Sequence, residues 1–169
     1  VSFLREFGVL LSAILVAGRS GSAFTAEIGS MRSREEIDAI QALALDPIEL
    51  LVIPRLVALL VMLPVLAFLA MLSGIVGGAL VGAMALDISW TMFLVRMQDT
   101  TELYYLWLGL IKAPVFAFLI ASIGCLEGLK VSGSAESVGR HTTSSVVQSI
   151  FLVIVFDALF AVLYMQLDL

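Results

Sequence analysis

The chain has 169 residues, of which 61% are hydrophobic and 14% are charged, whereas soluble domains are about 45–50% apolar and about 25% charged. This composition, with a mean hydropathy of +1.11, excludes a water-soluble globular protein. The formal net charge of −5 gives no support to nucleic-acid binding, which needs a basic surface. One cysteine and one histidine exclude an intramolecular disulfide and a histidine-based metal cluster.

Long apolar stretches predict four membrane-spanning helices. The longest uncharged run, residues 56–86, has 31 residues, and about 20 helical residues cross a bilayer core of about 30 Å. Helices are expected because a lone strand leaves its backbone unsatisfied in lipid, and the alternation of a barrel is absent. We predict an all-α membrane protein, one polytopic transmembrane domain over residues 1–169. Its spans lie at about 7–28, 56–86, 103–126 and 143–167.

A polar segment, residues 31–55, separates the first two spans. Ser33 and Glu36 have the spacing of a capping box, in which the serine hydroxyl accepts the backbone N–H of Glu36. Apolar residues then recur at helical spacing as far as the stop signal Asp46-Pro47. We therefore predict a short amphipathic helix over residues 33–45, with an apolar face formed by Ile37, Ile40, Leu43 and Ala44.

This short helix has two possible roles, an interfacial helix lying on lipid or a docking helix for a partner protein. The acidic residues Glu35, Glu36 and Asp38 favour docking, because anionic headgroups would repel them.

The Lys and Arg count predicts the orientation. The segments 31–55 and 127–142 hold three and two of these residues, and the opposite side holds two, Arg5 and Arg96. Five against two places the short helix in the cytoplasm. Both ends of a four-span chain then lie outside, and Val1 follows neither an initiating methionine nor a signal peptide. We therefore expect a further span upstream.

Several blocks of sequence, in order along nearly the whole chain, resemble the MlaE-type permease family of ABC transporters. They are Arg5-Glu6-Phe7-Gly8, Ala17-Gly18-Arg19-Ser20-Gly21-Ser22-Ala23, Ala26-Glu27-Ile28-Gly29, Glu35-Glu36-Ile37-Asp38-Ala39, Leu45-Asp46-Pro47, Pro54-Arg55, Gly128, Gly139-Arg140-His141-Thr142-Thr143, Val146-Val147 and Asp157. Arg34-Glu35-Glu36 departs from the family's usual Thr-Glu-Gln.

The resemblance implies a multi-pass protein of a bacterial-type inner membrane that moves phospholipids or related lipids. It also implies an upstream elbow helix and one further span. The implied partners are a second permease copy, an MCE-domain protein and a separate ABC ATPase. The chain has no nucleotide-binding P-loop, so we expect no cofactor in it, and ATP and magnesium belong to the partner. ATPase coupling is then expected at Glu35, Glu36, Ile37, Asp38, Ile40, Leu43, Asp46 and Pro47.

Small residues in the first span form two adjoining stripes. Gly18 and Ser22 belong to one stripe, and Gly21 and Thr25 to the other. Such stripes let another helix backbone approach closely. Packing, including packing between two permease copies, is favoured over a role in lining the substrate path.

Arg19 and Glu27 are charged residues within the same span. A charge at membrane depth costs at least about 2.5–3.5 kcal/mol, so each needs a partner or water. Eight residues turn a helix by about 80° beyond two full turns, so the two are not expected to pair with each other. Either each meets another helix, or both face a polar cavity that handles lipid headgroups. For Arg19, a role at the polar cavity and a role in bracing the helix bundle are equally well supported. Glu27 is expected instead to be an acid at the membrane interface or in the structure of the bundle.

Other polar residues are predicted to have structural roles. Asp157 is expected to form a hydrogen bond between helices, and Lys112 is expected to reach the outer interface or pair with Glu102. The outer loop is expected to carry Asp87, Asp99 and Glu102, and the solvated charges of the cytoplasmic side are Glu127, Lys130 and Glu136.

The last span is expected to begin at a polar block. Gly139 would form a turn, and Thr142 or Thr143 would cap the helix. Contact with the ATPase or the preceding loop is the further role considered for Arg140 and His141.

Two other function classes are weighed against the permease. Gly18-Arg19-Ser20-Gly21 fits the short pattern of rhomboid-like intramembrane serine proteases, which need a histidine within hydrogen-bond reach of the serine. The single histidine, His141, is expected at the cytoplasmic mouth and Ser20 inside a span, which disfavours an enzyme. The third class is a passive membrane scaffold.

Overall fold

A computed structural model describes residues 3–85, 88–100 and 103–167. Within these ranges the chain forms six helices and no strand. The helices are α1 (Phe3–Ser33), α2 (Glu36–Ala42), α3 (Ile48–Ala85), α4 (Trp90–Thr100), α5 (Leu103–Leu129) and α6 (Ala135–Gln166). Four of them, α1, α3, α5 and α6, are long and apolar enough to cross a membrane. The predicted all-α membrane fold with four spans is confirmed.

The central helix is α5, which packs against α1, α3 and α6. The residues that contact one another show that α1 and α5 run in one direction and that α3 and α6 run in the other. The core between them is apolar and includes Ala13, Leu63, Ala67, Phe116 and Ile120. Many large apolar side chains on α3 and α6 are exposed, as expected for surfaces that face lipid or other membrane helices.

Small residues bring α1 and α5 into close contact. A Cβ atom added to Gly124 would lie 2.9 Å from the carbonyl oxygen of Gly21, a separation that real Cβ atoms do not show. At the same level the Thr25 hydroxyl donates to the carbonyl oxygen of Gly124 across 2.7 Å. A larger residue at Gly124 would therefore separate the two helices.

Three spans begin earlier than predicted, α1 by a few residues and the other two by more. α3 starts at Ile48, where the Asp46 carboxylate accepts the Ile48 N–H across 2.9 Å. α6 starts at Ala135, where the Ser134 hydroxyl accepts the Ser137 N–H across 3.1 Å. The first turn of α6 is polar, and the charges of Glu49 and Arg55 interrupt the apolar start of α3, so apolar length places both starts too late.

The predicted capping box is wrong. Ser33 is the last residue of α1, and its hydroxyl donates to the carbonyl oxygen of Gly29 across 3.0 Å. Glu35, in the left-handed conformation with φ of 59°, redirects the chain into α2. The short helix is Glu36–Ala42, shorter at both ends than the predicted 33–45.

The segment expected to be an outer loop contains a helix. α4 spans Trp90–Thr100 and includes Asp99, which therefore does not lie on a loop. Asp87 and Glu102 lie outside the described residues.

Candidate functional site

A buried ionic cluster connects three spans. Lys112 of α5 has no exposed side-chain surface, and its Nζ donates to the carboxylate of Glu6 in α1 and to Asp157 Oδ1 in α6, the latter across 3.0 Å. Arg5 Nε donates to Glu6 Oε1, also across 3.0 Å. These four residues are named the ionic cluster below. Its two basic and two acidic groups balance, so the cluster carries no net charge when all four are ionised.

Aromatic rings complete the surroundings of Lys112. Its Nζ lies 6.0 Å from the ring centroid of Phe160 and 5.3 Å from that of Tyr164. An ammonium group within about 6 Å of a ring face is attracted by the ring quadrupole. The Tyr164 hydroxyl donates to the carbonyl oxygen of Leu108 across 2.9 Å, which places the ring.

This geometry confirms one prediction and corrects another. The interhelical hydrogen bond expected for Asp157 is present. Lys112 is buried against Glu6 and Asp157 and does not extend to an exposed surface; its expected pairing with Glu102 falls outside the described residues. Glu6 was missed. The sequence did contain an indication of its role. Glu6, Lys112 and Asp157 lie within or beside apolar runs, and a charge at membrane depth needs a partner of opposite charge.

Arg19 lies at a cavity between α1 and α3. It is exposed, and it occupies the middle of the π-helical turn Ala17–Gly21; such turns are frequent at functional sites. Within the described ranges no ion pair involves Arg19. The cavity has a volume of about 470 Å³ and is lined by Ser12, Leu15, Val16, Arg19, Ser20, Leu66 and Ala70.

Glu27 lies in surroundings that differ from those of Arg19. Its Oε2 lies 3.0 Å from Arg55 Nη2 of α3, and Arg55 Nη1 donates to the carbonyl oxygen of Leu51 across 2.7 Å. Glu27 does not line the Arg19 cavity. The structure thus separates the two charges that the sequence considered for one polar path.

The two small-residue stripes of α1 face different neighbours. Gly21 and Thr25 pack on α5 of the same chain, where a Cβ atom on Gly21 would lie 3.1 Å from Ile120 Cγ2. A Cβ atom on Gly18 would meet nothing within 4 Å. Ser22 donates to the carbonyl oxygen of Gly18 across 2.6 Å. Only the Gly18 side is therefore open to a second chain.

The apolar face of α2 is turned onto the bundle. Ile37 is 1% exposed and belongs to a cluster with Ile28, Leu51 and Cys125, against which Ile40 packs. Leu43, just after the helix, is 72% exposed. Of the apolar face expected to dock a partner, Ile37 is thus a core residue of the chain, and Leu43 is exposed.

The acidic residues of this segment point outward. Glu35 and Asp38 are exposed, and Glu36 Oε1 lies 3.1 Å from Arg34 Nε in an ion pair open to solvent. Asp46 and Pro47 precede α3 directly. The end of the bundle that carries this segment is named the α2 end.

The block expected to begin the last span lies inside α6. Gly139 forms no turn, and the hydroxyls of Thr142 and Thr143 donate to the carbonyl oxygens four residues earlier instead of capping the helix. Arg140 pairs with Glu136 on the surface across 3.3 Å. His141 Nδ1 lies 2.7 Å from Glu127 Oε2, so His141 does contact the preceding span.

Ser20 and His141 are not brought together. Across the part of the chain that the structure describes, no hydrogen bond joins them, and the Nδ1 atom of His141 is engaged by Glu127. Ser20 instead lines the Arg19 cavity. The geometry required for a serine–histidine nucleophile is therefore lacking.

Known proteins are similar to this chain over nearly its whole length. The profile of the family described as Permease MlaE matches residues 1–163. A probable ABC transporter permease protein of Synechocystis sp. is 42% identical over 92% of this chain and 59% of that protein. A protein of the same description from Rickettsia prowazekii is 39% identical over 98% of this chain and 64% of its own length.

A plant protein is also similar. Protein TRIGALACTOSYLDIACYLGLYCEROL 1, chloroplastic, of Arabidopsis thaliana is 32% identical over 98% of this chain and 47% of its own length. The chain spans about three-fifths of the length of the two bacterial relatives.

Proposed function

Since this chain belongs to the MlaE permease family of multi-pass ABC transporter permeases, we propose that it is the membrane-spanning part of a lipid transporter. Its substrate is a phospholipid, and it works in a bacterial-type inner membrane. It pairs with a second copy of itself, an ATPase and an MCE-domain protein. ATP and magnesium act in the ATPase, and this chain holds no catalytic residue.

The observation that carries this proposal is the position of Arg19. A guanidinium is always charged and can hold a phosphate through two parallel hydrogen bonds. Among the residues that the structure describes it has no ion-pair partner, and it stands beside Leu15, Val16 and Leu66 in a cavity that also presents Ser20. A charged group between apolar walls matches the two parts of a phospholipid, the anionic headgroup and the start of the acyl chains.

The similarity to the plant protein supports a lipid as substrate. The name of that protein contains trigalactosyldiacylglycerol, a diacylglycerol lipid. A substrate with two acyl chains needs a wide opening in the bundle, and the Arg19 cavity opens between two helices.

The α2 segment is the proposed docking site for the ATPase. Leu43 is exposed, and the outward carboxylates of Glu35 and Asp38 surround the start of the helix. Ile37 and Ile40 pack the helix against the membrane bundle. A displacement of α2 by the ATPase is therefore transmitted to the membrane spans. ATP hydrolysis then shifts the two copies between lipid-accepting and lipid-releasing states.

The test compares Arg19→Lys with Arg19→Ala in the full-length permease assembled with its partners. Lysine keeps the charge but loses the planar fork, so Arg19→Lys is expected to assemble normally and transport phospholipid more slowly. Arg19→Ala is expected to assemble and to carry about tenfold less bound phospholipid, the effect of one lost charge-assisted contact. Arg140→Ala, on the exposed surface of α6, is the control for bound phospholipid alone, because a contact with the ATPase was considered for that residue.

Two results would contradict the proposal. If Arg19→Ala fails to assemble, Arg19 braces the bundle. If Arg19→Ala assembles with normal lipid content and normal transport, Arg19 does not contact the substrate.

A further inference from the structure

Glu127, at the last turn of α5, is a buried carboxylate that the proposed lipid path does not use. It was expected to be solvated, but its side chain is 4% exposed. Three side chains donate to it: Lys130 and Gln148 to Oε1, each across 3.2 Å, and His141 to Oε2 across 2.7 Å. His141 and Gln148 lie on α6, so the carboxylate fastens α6 to α5.

The loop between these helices is held at the same place. Val131 is 1% exposed and packs on Gly29 of α1, where an added Cβ atom would lie 2.8 Å from Val131 Cγ2. Arg32, in the last turn of α1, donates from Nε to the carbonyl oxygen of Val131 across 3.0 Å. α1 therefore has one direct polar bond to the loop, four residues before α2 begins.

The other end of the loop is equally well fixed. The Ser132 N–H and hydroxyl both donate to the Ser137 hydroxyl, across 3.0 Å and 3.1 Å, and Ser134 caps α6. Contacts thus run without interruption from the end of α1 through Val131 to Glu127 and α6. A rigid chain of contacts of this kind can carry displacement between two sites.

We propose that Glu127 is a positioning residue that makes the α5–α6 pair follow the movement of α2. This inference rests on the proposed function, in which α2 receives the ATPase. When α2 moves, Arg32 moves the Val131 loop with it. The loop passes this displacement to α6 directly, through the Ser132–Ser137 hydrogen bonds and the covalent chain. The Glu127 carboxylate, which holds Lys130, His141 and Gln148, makes the end of α5 follow α6. Without that carboxylate, α6 moves and α5 stays behind.

The experiment separates coupling from stability. The full-length permease is assembled with its ATPase and MCE partner in liposomes that contain a fluorescent phosphatidylglycerol. ATP hydrolysis and phospholipid movement are measured in the same sample. Glu127→Gln keeps the size of the side chain and removes its charge. Glu136→Gln is the matched control, because the same change occurs on a side chain that is 86% exposed.

We expect Glu127→Gln to hydrolyse ATP at the rate of the unaltered complex and to move about fivefold less phospholipid per ATP, at the low end of known coupling factors. Glu136→Gln is expected to keep the unaltered ratio. Arg32→Gln interrupts the same chain of contacts and is expected to lower the ratio similarly. The Arg32→Gln/Glu127→Gln double variant should then lose little more than either single variant.

An assembled Glu127→Gln complex with an unaltered ratio of phospholipid to ATP overturns the inference and leaves Glu127 a structural residue. If Glu127→Gln does not assemble, Arg32→Gln and His141→Gln decide the question by the same ratio. Failure of the proposed function is detected separately, in the unaltered complex. An unaltered complex that hydrolyses ATP without moving phospholipid overturns that proposal and this one with it.

Discussion

Replacing Lys112 by methionine should destabilise the protein more than any other single change in the ionic cluster. Lys112 Nζ lies 3.0 Å from Asp157 Oδ1, a separation at which unit charges attract by about 5 kcal/mol at an effective dielectric constant of about 20. Removing the charges from water offsets much of that gain. Losing only the cation, however, leaves the partly buried carboxylates of Glu6 and Asp157 without their shared partner. The expected loss for Lys112→Met is about 3–5 kcal/mol.

Removing one acid should cost less. In Asp157→Asn, Lys112 keeps Glu6 as its partner, and the new amide oxygen still accepts a hydrogen bond, so the expected loss is about 1–2 kcal/mol. The Lys112→Met/Asp157→Asn double variant should lose less than the sum of the two, because the remaining acid, Glu6, keeps Arg5 as a partner.

The assay is thermal unfolding of the full-length protein in nanodiscs, followed by the fraction that stays monodisperse. Lys130→Met is the matched control, since it makes the same change directly after the same helix, at a side chain that is 52% exposed. The reasoning is refuted if Lys112→Met melts together with the unaltered protein. It is also refuted if Asp157→Asn loses as much stability as Lys112→Met.

Three further changes test other parts of the structure. Ile37→Asp should destabilise the bundle by about 3 kcal/mol or more because it buries a charge. Leu43→Asp should leave the melting temperature unchanged and reduce ATPase binding in a pull-down. Recovery of the ATPase at the unaltered level with Leu43→Asp would contradict the proposed docking site. Gly21→Leu should lower the yield of folded protein because it forces α1 from α5, and Gly18→Leu should leave the yield unchanged; native gels would show whether Gly18→Leu alters the oligomer. Ala44→Gly should raise the free energy of unfolding by about 1 kcal/mol, because Ala44 has a φ of 58° that glycine adopts more easily; a lower melting temperature would exclude this strain.

The existence of the four spans follows from apolar length, because a run of about 20 apolar residues is long enough for a helix that crosses the hydrocarbon core. Their ends do not follow from it. α6 begins at Ala135 with a polar first turn capped by Ser134, and such turns have the composition of a loop. This difference matters for the site, because an α6 that began at residue 143 would leave His141 on a loop and Glu127 in solvent.

Amphipathic spacing predicts which side of a helix is apolar. It does not predict whether that side packs on the chain's own bundle or on a partner protein. The spacing of Ile37 and Ile40 correctly indicated one apolar face on α2. The sequence could not show that Ile28 and Leu51 cover that face, because these residues come from two other helices. The proposed docking surface therefore centres on the exposed Leu43, which the same pattern had placed with Ile37.

Pairs of charges were the hardest feature to derive. Lys112 is 106 residues from Glu6 and 45 residues from Asp157 in the sequence, and no local rule connects positions that far apart. The high cost of an isolated charge in lipid indicates that each charge has a partner but does not identify it. Arg19 shows the limit of this reasoning, because it lies at a cavity and no acid in the described part of the chain pairs with it.

Polar connections between α5 and α6 at two distant levels explain why movement at the α2 end would affect the whole bundle. Lys112 and Glu127 are fifteen residues apart on α5, which is about 22 Å along a helix. Each contacts α6, through Asp157 and His141 respectively. Since α5 and α6 are joined at both levels, α6 cannot slide along α5 without breaking one of these contacts. Displacement of α2 is then expected to tilt α5 and α6 as a pair, and the ionic cluster, which also includes α1 through Glu6, is the point about which they would tilt.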